Sequence, residues 1–250
     1  ETEKDCKRTE TEDSGKQGIL FLLFQISSFW EGEIMATMAE VQQTYEFKGK
    51  IGEGGGGIVY LALHKRLKKY VVFKEIKHPS SHLEINRREA DILKNIRQEA
   101  LPGVLYFSNI HGRDYTVMDY ISGMSLYKYV KSGKKFTRHQ LIEWAVTICR
   151  ALECLHNQNP PVIHCDIKPA NLLADANGKI HLIDFNISYY LNQPGAVGYS
   201  KGFSAPELAY AFSQSGRFNR DSNVVTEQTD IYALGATLYY LITGIKFDEK

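Results

Sequence analysis

The sequence predicts an α+β protein with two lobes, in which a small antiparallel sheet carrying one helix precedes a mainly helical half. From Tyr45 to Ile76, apolar and polar residues alternate between glycine and basic turns, which is typical of three antiparallel strands. Residues 139–158 repeat apolar side chains at helical spacing, so they predict a helix that faces a core. A sheet followed by helices in this way implies a cleft between two lobes.

Composition limits the classes of protein that the chain can belong to. It has 250 residues, 43% of them hydrophobic, which is enough for one large domain or two small lobes. A formal net charge of +1 with interspersed acids and bases gives no basic stripe, so no nucleic-acid partner is expected. The four cysteines show no CxxC spacing and are too few for a disulfide framework. A reducing, cytoplasmic setting is therefore expected.

Residues 1–44 differ from the rest and are expected to form a poorly ordered extension. Residues 1–16 are charged and offer little to bury. The apolar stretch "GILFLLFQISSFW" (Gly18–Trp30) is too short for a membrane span, and the charges before it are mixed where a secretory signal would be basic. A membrane partner is not expected within this chain; a signal or anchor is the minor alternative to an upstream extension or docking segment.

Between the three strands and the long helix, two further elements are predicted. The stretch "SSHLEINRREADILKNI" (residues 80–96) predicts a helix, and "YTVMDYISG" (residues 115–123) predicts a strand that runs into a connector. We see no internal repeat and no low-complexity tract apart from one glycine run. These elements place the candidate functional residues around the predicted cleft.

The glycine run "IGEGGGGIV" lies between the first two strands. Its glycines at 52, 54 and 57 leave backbone N–H groups bare, so phosphate oxygens can approach without meeting a side chain. A glycine-rich hairpin turn with no ligand explains the same stretch. On this segment alone the hairpin is the stronger interpretation.

Two charged residues fall on surfaces that are otherwise apolar. Lys74 ends the strand segment "VVFK", where a lone ammonium needs either solvent or a partner. Glu89 shares a helix face with isoleucines at steps of three and four, where an unpaired carboxylate would be costly. A Lys74–Glu89 ion pair resolves both anomalies and leaves the lysine positioned to hold phosphate oxygens. A solvated charge at the edge of the stripe is the alternative for Glu89.

The loop "VIHCDIKPANLLAD" brings an acid, a cation and an amide close together. Asp166 and Lys168 are two residues apart in an extended segment, so their side chains can converge on one reacting centre. Asn171 follows with an amide oxygen, and Asp184 ends the buried strand of "IHLIDFNIS". Magnesium prefers such hard oxygen ligands. Each residue alone could be a satisfied loop polar group, but their ordered spacing makes coincidence improbable.

This order of motifs resembles the eukaryotic-like protein kinase family, and the resemblance covers nearly everything from Tyr45 to the C-terminus. The matching elements are "GEGGGGIV", "VVFK", "READIL", "HCDIKPAN", "DFN", "APE" and "DIYALG". The resemblance implies a kinase domain over residues 45–250, with an N-lobe of about 45–118 and a C-lobe of about 122–250. The given sequence ends soon after "DIYALGATLYYLITG", so relative to the family a truncated C-lobe is expected.

The resemblance also implies a role for each charged residue of the motifs. Lys74 would hold the α- and β-phosphates of ATP, and Glu89 would anchor it. Asp166 would orient the substrate hydroxyl and accept its proton, while Asn171 and Asp184 would bind Mg²⁺.

By the same resemblance, apolar and backbone groups would hold the adenine. The expected contacts are the gatekeeper Met118, the backbone of Asp119 and Ile121, and the ring-sandwiching side chains Val59, Val72 and Leu173.

Lys168 within "DIKPAN" and a hydroxyl at Ser200 before "APE" are similar to the serine/threonine-directed branch, in a style close to bacterial members. The implied function is ATP-dependent phosphorylation of serine or threonine hydroxyls in protein substrates. In this branch Lys168 would steady the transferred phosphoryl group.

Several departures from the family pattern keep other classes open. Asn186 replaces the glycine of the metal-binding turn, and we expect it to tolerate the positive φ of that turn. Cys165 replaces an arginine that in many relatives clamps a phosphorylated segment, and we interpret it as a buried space-filling residue rather than a redox-sensing thiol. The main alternative function is a pseudokinase that serves as a nucleotide-binding or scaffold module. A small-molecule phosphotransferase is a further alternative.

Overall fold

The computed structural model describes residues 34–35, 38–54, 57–77, 83–191, 198–215 and 225–247. Its first half is a sheet with helices, and its second half is mainly helical. The predicted α+β fold with two lobes is therefore confirmed. Within these residues, no helix is both long enough and apolar enough to cross a bilayer.

The N-lobe is built on a six-stranded sheet in the order β1-β5-β6-β4-β3-β2. Its strands are β1 (Ile34–Met35), β2 (Tyr45–Gly54), β3 (Gly57–His64), β4 (Lys69–Glu75), β5 (Val104–Ile110) and β6 (Arg113–Asp119). Neighbouring strands are antiparallel, as predicted, except that the short β1 runs parallel to β5. Strand β6 begins two residues before the predicted stretch of 115–123, and after Asp119 the chain leaves the sheet for the predicted connector.

The described fold begins ahead of the predicted boundary at residue 45. Helix α1 (Met38–Thr44) packs Val41, only 4% exposed, into the cluster on the outer face of the sheet that includes Tyr45 and Phe73. Apolar burial of this kind gives a short helix a fixed position that its composition does not reveal. The N-lobe sheet therefore carries two helices where one was predicted. Most of the predicted extension, residues 1–33, lies outside the described residues.

Helix α2 (Leu83–Leu93) lies within the predicted stretch of 80–96. Its buried residues include Asn86, Glu89, Ala90 and Leu93, which share one helix face. Two polar side chains are thus turned into the protein together with the apolar ones. Buried polar groups require hydrogen-bond partners, and both have them.

The C-lobe packs around the predicted long helix. Its helices are α3 (Leu126–Lys131), α4 (Arg138–His156), α5 (Pro206–Ser215) and α6 (Glu227–Thr243). Its strands are β7 (Gly123–Ser125), β8 (Val162–Ile163), β9 (Leu172–Asp175), β10 (Ile180–Leu182) and β11 (Tyr189–Tyr190). The residues of α4 at helical spacing, including Trp144, Ile148 and Leu155, are buried in the main core as predicted. Strands β7, β9 and β10 form a small antiparallel sheet, and β8 pairs with β11.

Candidate active site

A buried lysine joins the two lobes. The Nζ of Lys74 on β4 lies 2.6 Å from Oε1 of Glu89 on α2 and 2.8 Å from Oδ1 of Asp184, which follows β10. The same Glu89 oxygen accepts a hydrogen bond from the backbone N–H of Phe185 at 3.0 Å. The predicted Lys74–Glu89 ion pair is thus present, and it connects the sheet, the helix and the "DFN" turn.

Electrostatics keep this lysine charged despite its burial. Lys74 is 7% exposed and Glu89 is 6% exposed. Burial by itself would lower the pKa of Lys74, but the negative charges of Glu89 and Asp184 raise it above its ordinary value. Burial would likewise raise the pKa of Asp184, and the Lys74 cation nevertheless holds it below its ordinary value. The site therefore presents a fixed ammonium beside a carboxylate, which suits the binding of phosphate oxygens and a cation.

The expected adenine contacts share the sheet face that carries Lys74. Val59 lies directly opposite Lys74 in the β3–β4 ladder, and Met118 lies opposite Val72 in the β4–β6 ladder. Because side chains alternate along a strand, Val72 and Lys74 point to the same face, and their cross-strand neighbours point there too. Leu173 comes from β9 of the C-lobe and is partly buried. These positions are consistent with the predicted pocket, whose ligand contacts stay a prediction.

The segment that joins the lobes departs in one detail from the expected adenine edge. The backbone N–H of Asp119 donates to the carbonyl oxygen of Gly103 at 2.9 Å. This N–H is therefore not available to a ligand, whereas the carbonyl group of Asp119 and the backbone of Ile121 keep their expected roles as proposals. Ile121 lies between β6 and β7 and is partly buried.

The glycine run forms the turn between β2 and β3. Gly54 and Gly57 pair across this turn, and Gly52 pairs with Val59. A Cβ atom at Gly57 would overlap the carbonyl oxygen of Glu75, so a glycine is required at this position for packing alone. Space around Gly54 is open. The tip of the turn, residues 55–56, lies outside the described residues.

The loop after β8 brings the acid and the cation together. Lys168 Nζ donates to Asp166 Oδ2 at 2.8 Å and to the Ser200 hydroxyl oxygen at 3.1 Å, and the Ser200 hydroxyl donates to Asp166 Oδ1 at 2.8 Å. The amide nitrogen of Asn171 donates to Asp166 Oδ2 and to its backbone oxygen, both at 2.9 Å. The predicted residues therefore converge on one carboxylate, and Ser200 shows where a hydroxyl can sit against it.

Asp230, at the beginning of α6, was not predicted as a functional residue. It is fully buried, and its carboxylate accepts the backbone N–H groups of His164 and Cys165, both at 2.8 Å. The Nε2 atom of His156 lies 2.9 Å from the same carboxylate. Asp230 thus fixes the backbone immediately before Asp166. A lone aspartate in the apolar helix segment "DIYALG" was the signal that could have indicated this role.

Cys165 is a buried space-filling residue, as predicted. It is 3% exposed and belongs to a small apolar cluster with Ile163, Leu208 and Val225. Burial raises the pKa of the Cys165 thiol well above its usual value. Because the thiolate is the reactive form, this thiol is poorly suited to redox sensing. Its backbone φ of 64° is held by the hydrogen bond to Asp230.

The segment that follows the "DFN" turn is held by contacts that need no positive charge at position 165. Tyr189 pairs with Ile163 across β11 and β8, and the N–H of Leu191 donates to the carbonyl oxygen of Pro161 at 2.7 Å. The Ser188 hydroxyl is fully buried and donates to the carbonyl oxygen of His164.

We therefore expect phosphatase treatment to change the rate of phosphoryl transfer by the purified chain by less than about threefold, or about 0.7 kcal/mol on the barrier. A tenfold or larger loss with the fold intact would contradict this prediction, and initial rates before and after treatment measure it.

The "DFN" turn differs from the expectation for Asn186. The positive φ lies at Asp184, at 72°, rather than at Asn186. The Asn186 side-chain amide instead donates to Asp184 Oδ1 at 2.5 Å. The asparagine therefore adds a hydrogen bond that a glycine could not make, and it leaves Asp184 Oδ2 as the oxygen available to a further partner.

The two-lobed fold and the residues gathered at this site are those of the protein kinase class. The chain belongs to the protein kinase domain family, whose profile it matches over residues 45–249. It is similar to probable serine/threonine-protein kinases of Clostridium perfringens, at 29% identity, and Streptomyces coelicolor, at 28% identity. Each match covers 80% of this chain. The matched region spans 29% of the Clostridium perfringens protein and 30% of the Streptomyces coelicolor protein. It is also similar to serine/threonine-protein kinase Nek1 of Mus musculus, at 30% identity over 78% of this chain and 16% of that protein. The chain thus spans less than a third of the length of these relatives.

Proposed function

We propose that the chain catalyses ATP-dependent phosphoryl transfer to serine and threonine hydroxyls of protein substrates. The observation that carries this proposal is the convergence of Lys168 and the Ser200 hydroxyl on the Asp166 carboxylate, all within 3.1 Å. This arrangement offers a base for a hydroxyl and a cation for the transferred group. Relatives named as serine/threonine-protein kinases support the same function.

The chain's own residues supply positioning and charge. Lys74, held by Glu89, would hold the α- and β-phosphates. Asp166 would accept a hydrogen bond from the substrate hydroxyl, orient it towards the terminal phosphorus atom, and take its proton as the new P–O bond forms and the bond to the leaving ADP breaks. Lys168 would neutralise negative charge on the transferred group.

The residues present also fit a magnesium ion. The Asn171 amide nitrogen is engaged with Asp166, which leaves its oxygen as a ligand atom, and Asp184 retains Oδ2. Hard oxygen ligands of this kind suit Mg²⁺. When bound, the ion would neutralise phosphate charge. Mg²⁺ as cofactor, and a cytoplasmic location, stay predictions.

The second candidate function is a pseudokinase that binds nucleotide without turnover. Its support comes from the "DFN" variant, which sets the Asn186 side-chain amide at 2.5 Å from the Asp184 carboxylate that is proposed to bind the metal. The Lys74–Glu89 ion pair and the separate hydrogen bond from Asn171 to Asp166 favour the enzyme instead.

Peptides that differ only in the acceptor test the proposal. Purified chain is incubated with labelled ATP, Mg²⁺ and three peptides of one sequence that carry serine, threonine or tyrosine at the acceptor position. We expect transfer to serine and threonine to exceed transfer to tyrosine by at least about tenfold, because a hydroxyl on a short side chain reaches Asp166 at the depth of Ser200. Equal or preferred labelling of tyrosine would contradict the assignment, and nucleotide binding with no transfer would favour the pseudokinase.

A further inference from the structure

A buried carboxylate outside the site, Asp114 on β6, contacts helix α2. Asp114 is 5% exposed. Its Oδ2 accepts a hydrogen bond from the side-chain amide of Asn86 at 2.7 Å, and its Oδ1 accepts one from Asn109 of β5, also at 2.7 Å. A carboxylate taken out of water is costly unless it is hydrogen-bonded, and hydrogen bonds to an ionised acceptor are among the stronger ones. These two hydrogen bonds therefore fix the position of the Asp114 carboxylate and the positions of both amide side chains.

Asp114 contacts the elements that carry both members of the Lys74–Glu89 ion pair. Its backbone oxygen accepts the N–H of Ile76 at 3.0 Å, two residues after Lys74. Its side chain holds Asn86, which precedes Glu89 by three residues and lies on the same buried face of α2. One residue thus connects the lysine strand to the glutamate helix.

We propose that Asn86 is a positioning residue, whose bridge to Asp114 holds α2 where Glu89 reaches Lys74. A rotation or outward shift of α2 that separates Glu89 from Lys74 also separates Asn86 from Asp114. Such a movement removes one of the two amide hydrogen bonds to the buried Asp114 carboxylate, which costs free energy. The bridge therefore disfavours the displaced position of α2. Because Glu89 also accepts from the backbone N–H of Phe185, the bridge acts on the "DFN" turn as well.

A double-mutant cycle separates this role from a general contribution to stability. The kinetic part rests on the proposed function. We expect Asn86→Ala to lower kcat about tenfold with a smaller change in the KM for peptide, since it displaces Glu89 rather than removing a substrate contact. In a Glu89→Gln background the same substitution is expected to cost less than about twofold, because the contact through which Asn86 acts is already lost. A purely structural residue would cost the same factor in both backgrounds.

Two further variants complete the design. Lys94→Ala removes a solvent-exposed ion pair with Asp91 at the end of the same helix, and it is expected to leave kcat unchanged. If Asn86→Ala does not fold, as judged by its thermal unfolding, Asn86→Ser replaces it and keeps a short hydrogen-bond donor. The loss in kcat caused by Asn86→Ser is then expected to be smaller, and it should again occur only in the chain that keeps Glu89.

Titration calorimetry with ATP and Mg²⁺ gives the same cycle without turnover, since the proposed contact of Lys74 with phosphate would form in the ground state too. Equal losses with and without Glu89, or no loss on Asn86→Ala, would overturn the positioning role. Nucleotide binding that shows the coupling while no peptide is phosphorylated would overturn the proposed function alone. An unmodified chain that binds no nucleotide would overturn both.

Discussion

Asp166→Asn is expected to lower kcat by about a hundredfold to ten-thousandfold, the usual contribution of a general base. The amide keeps the size of the side chain but cannot accept the proton of the attacking hydroxyl. It also loses the charge that faces Lys168 Nζ at 2.8 Å. The loss therefore falls on the transition state, and the affinity for ATP should change little. Steady-state transfer rates and calorimetric titration with ATP measure the two quantities on the same preparation.

A matched control is available on α4. Glu153→Gln removes one negative charge from an exposed position and should leave both quantities unchanged. Transfer by Asp166→Asn at the rate of the unmodified chain would remove Asp166 from its proposed role. A large loss of ATP affinity would mean that the substitution disturbs the loop rather than the chemistry.

The sequence predicted the Lys74–Glu89 pair because each of the two is a charged residue on a surface that is otherwise apolar. Lys74 on an apolar strand and Glu89 on an apolar helix face each needed a partner, and the spacing of the elements allowed them to meet. The convergence of Lys168 on Asp166 could be predicted in the same way, from an extended loop with side chains two residues apart.

The features that the sequence did not predict depend on contacts between distant segments. Asp230 lies 64 residues beyond Asp166, and its role follows only from the packing of α6 beneath the loop. Val41 belongs to a helix of 7 residues, about two turns, which is too short for a periodic pattern to stand out. At Asp184 the positive φ is set by the turn as a whole rather than by the residue type, so asparagine at 186 misled the prediction.

Asp184→Ala is expected to abolish most of the gain in nucleotide affinity that Mg²⁺ gives the unmodified chain. The unmodified chain should bind ATP at least about tenfold more tightly with Mg²⁺ than with a chelator, since Asp184 and Asn171 would hold the ion and it would neutralise phosphate charge. Removal of one of two proposed ligands should reduce this ratio to about twofold or less. The comparison of ratios matters because Asp184 also pairs with Lys74, so the variant can change affinity without metal as well.

Asp91→Ala is the matched control for this prediction. It removes a half-buried carboxylate of α2 that pairs with Lys94 rather than with the proposed ligands, and the Mg²⁺-dependent gain should stay as in the unmodified chain. The pKa of Asp184 is below its ordinary value because Lys74 is charged, so the proposed ligand stays ionised at neutral pH and its protonation should not limit the gain. Tight ATP binding that ignores Mg²⁺ in the unmodified chain would contradict the metal assignment and favour the pseudokinase. An undiminished gain in Asp184→Ala would instead place the ion on other residues.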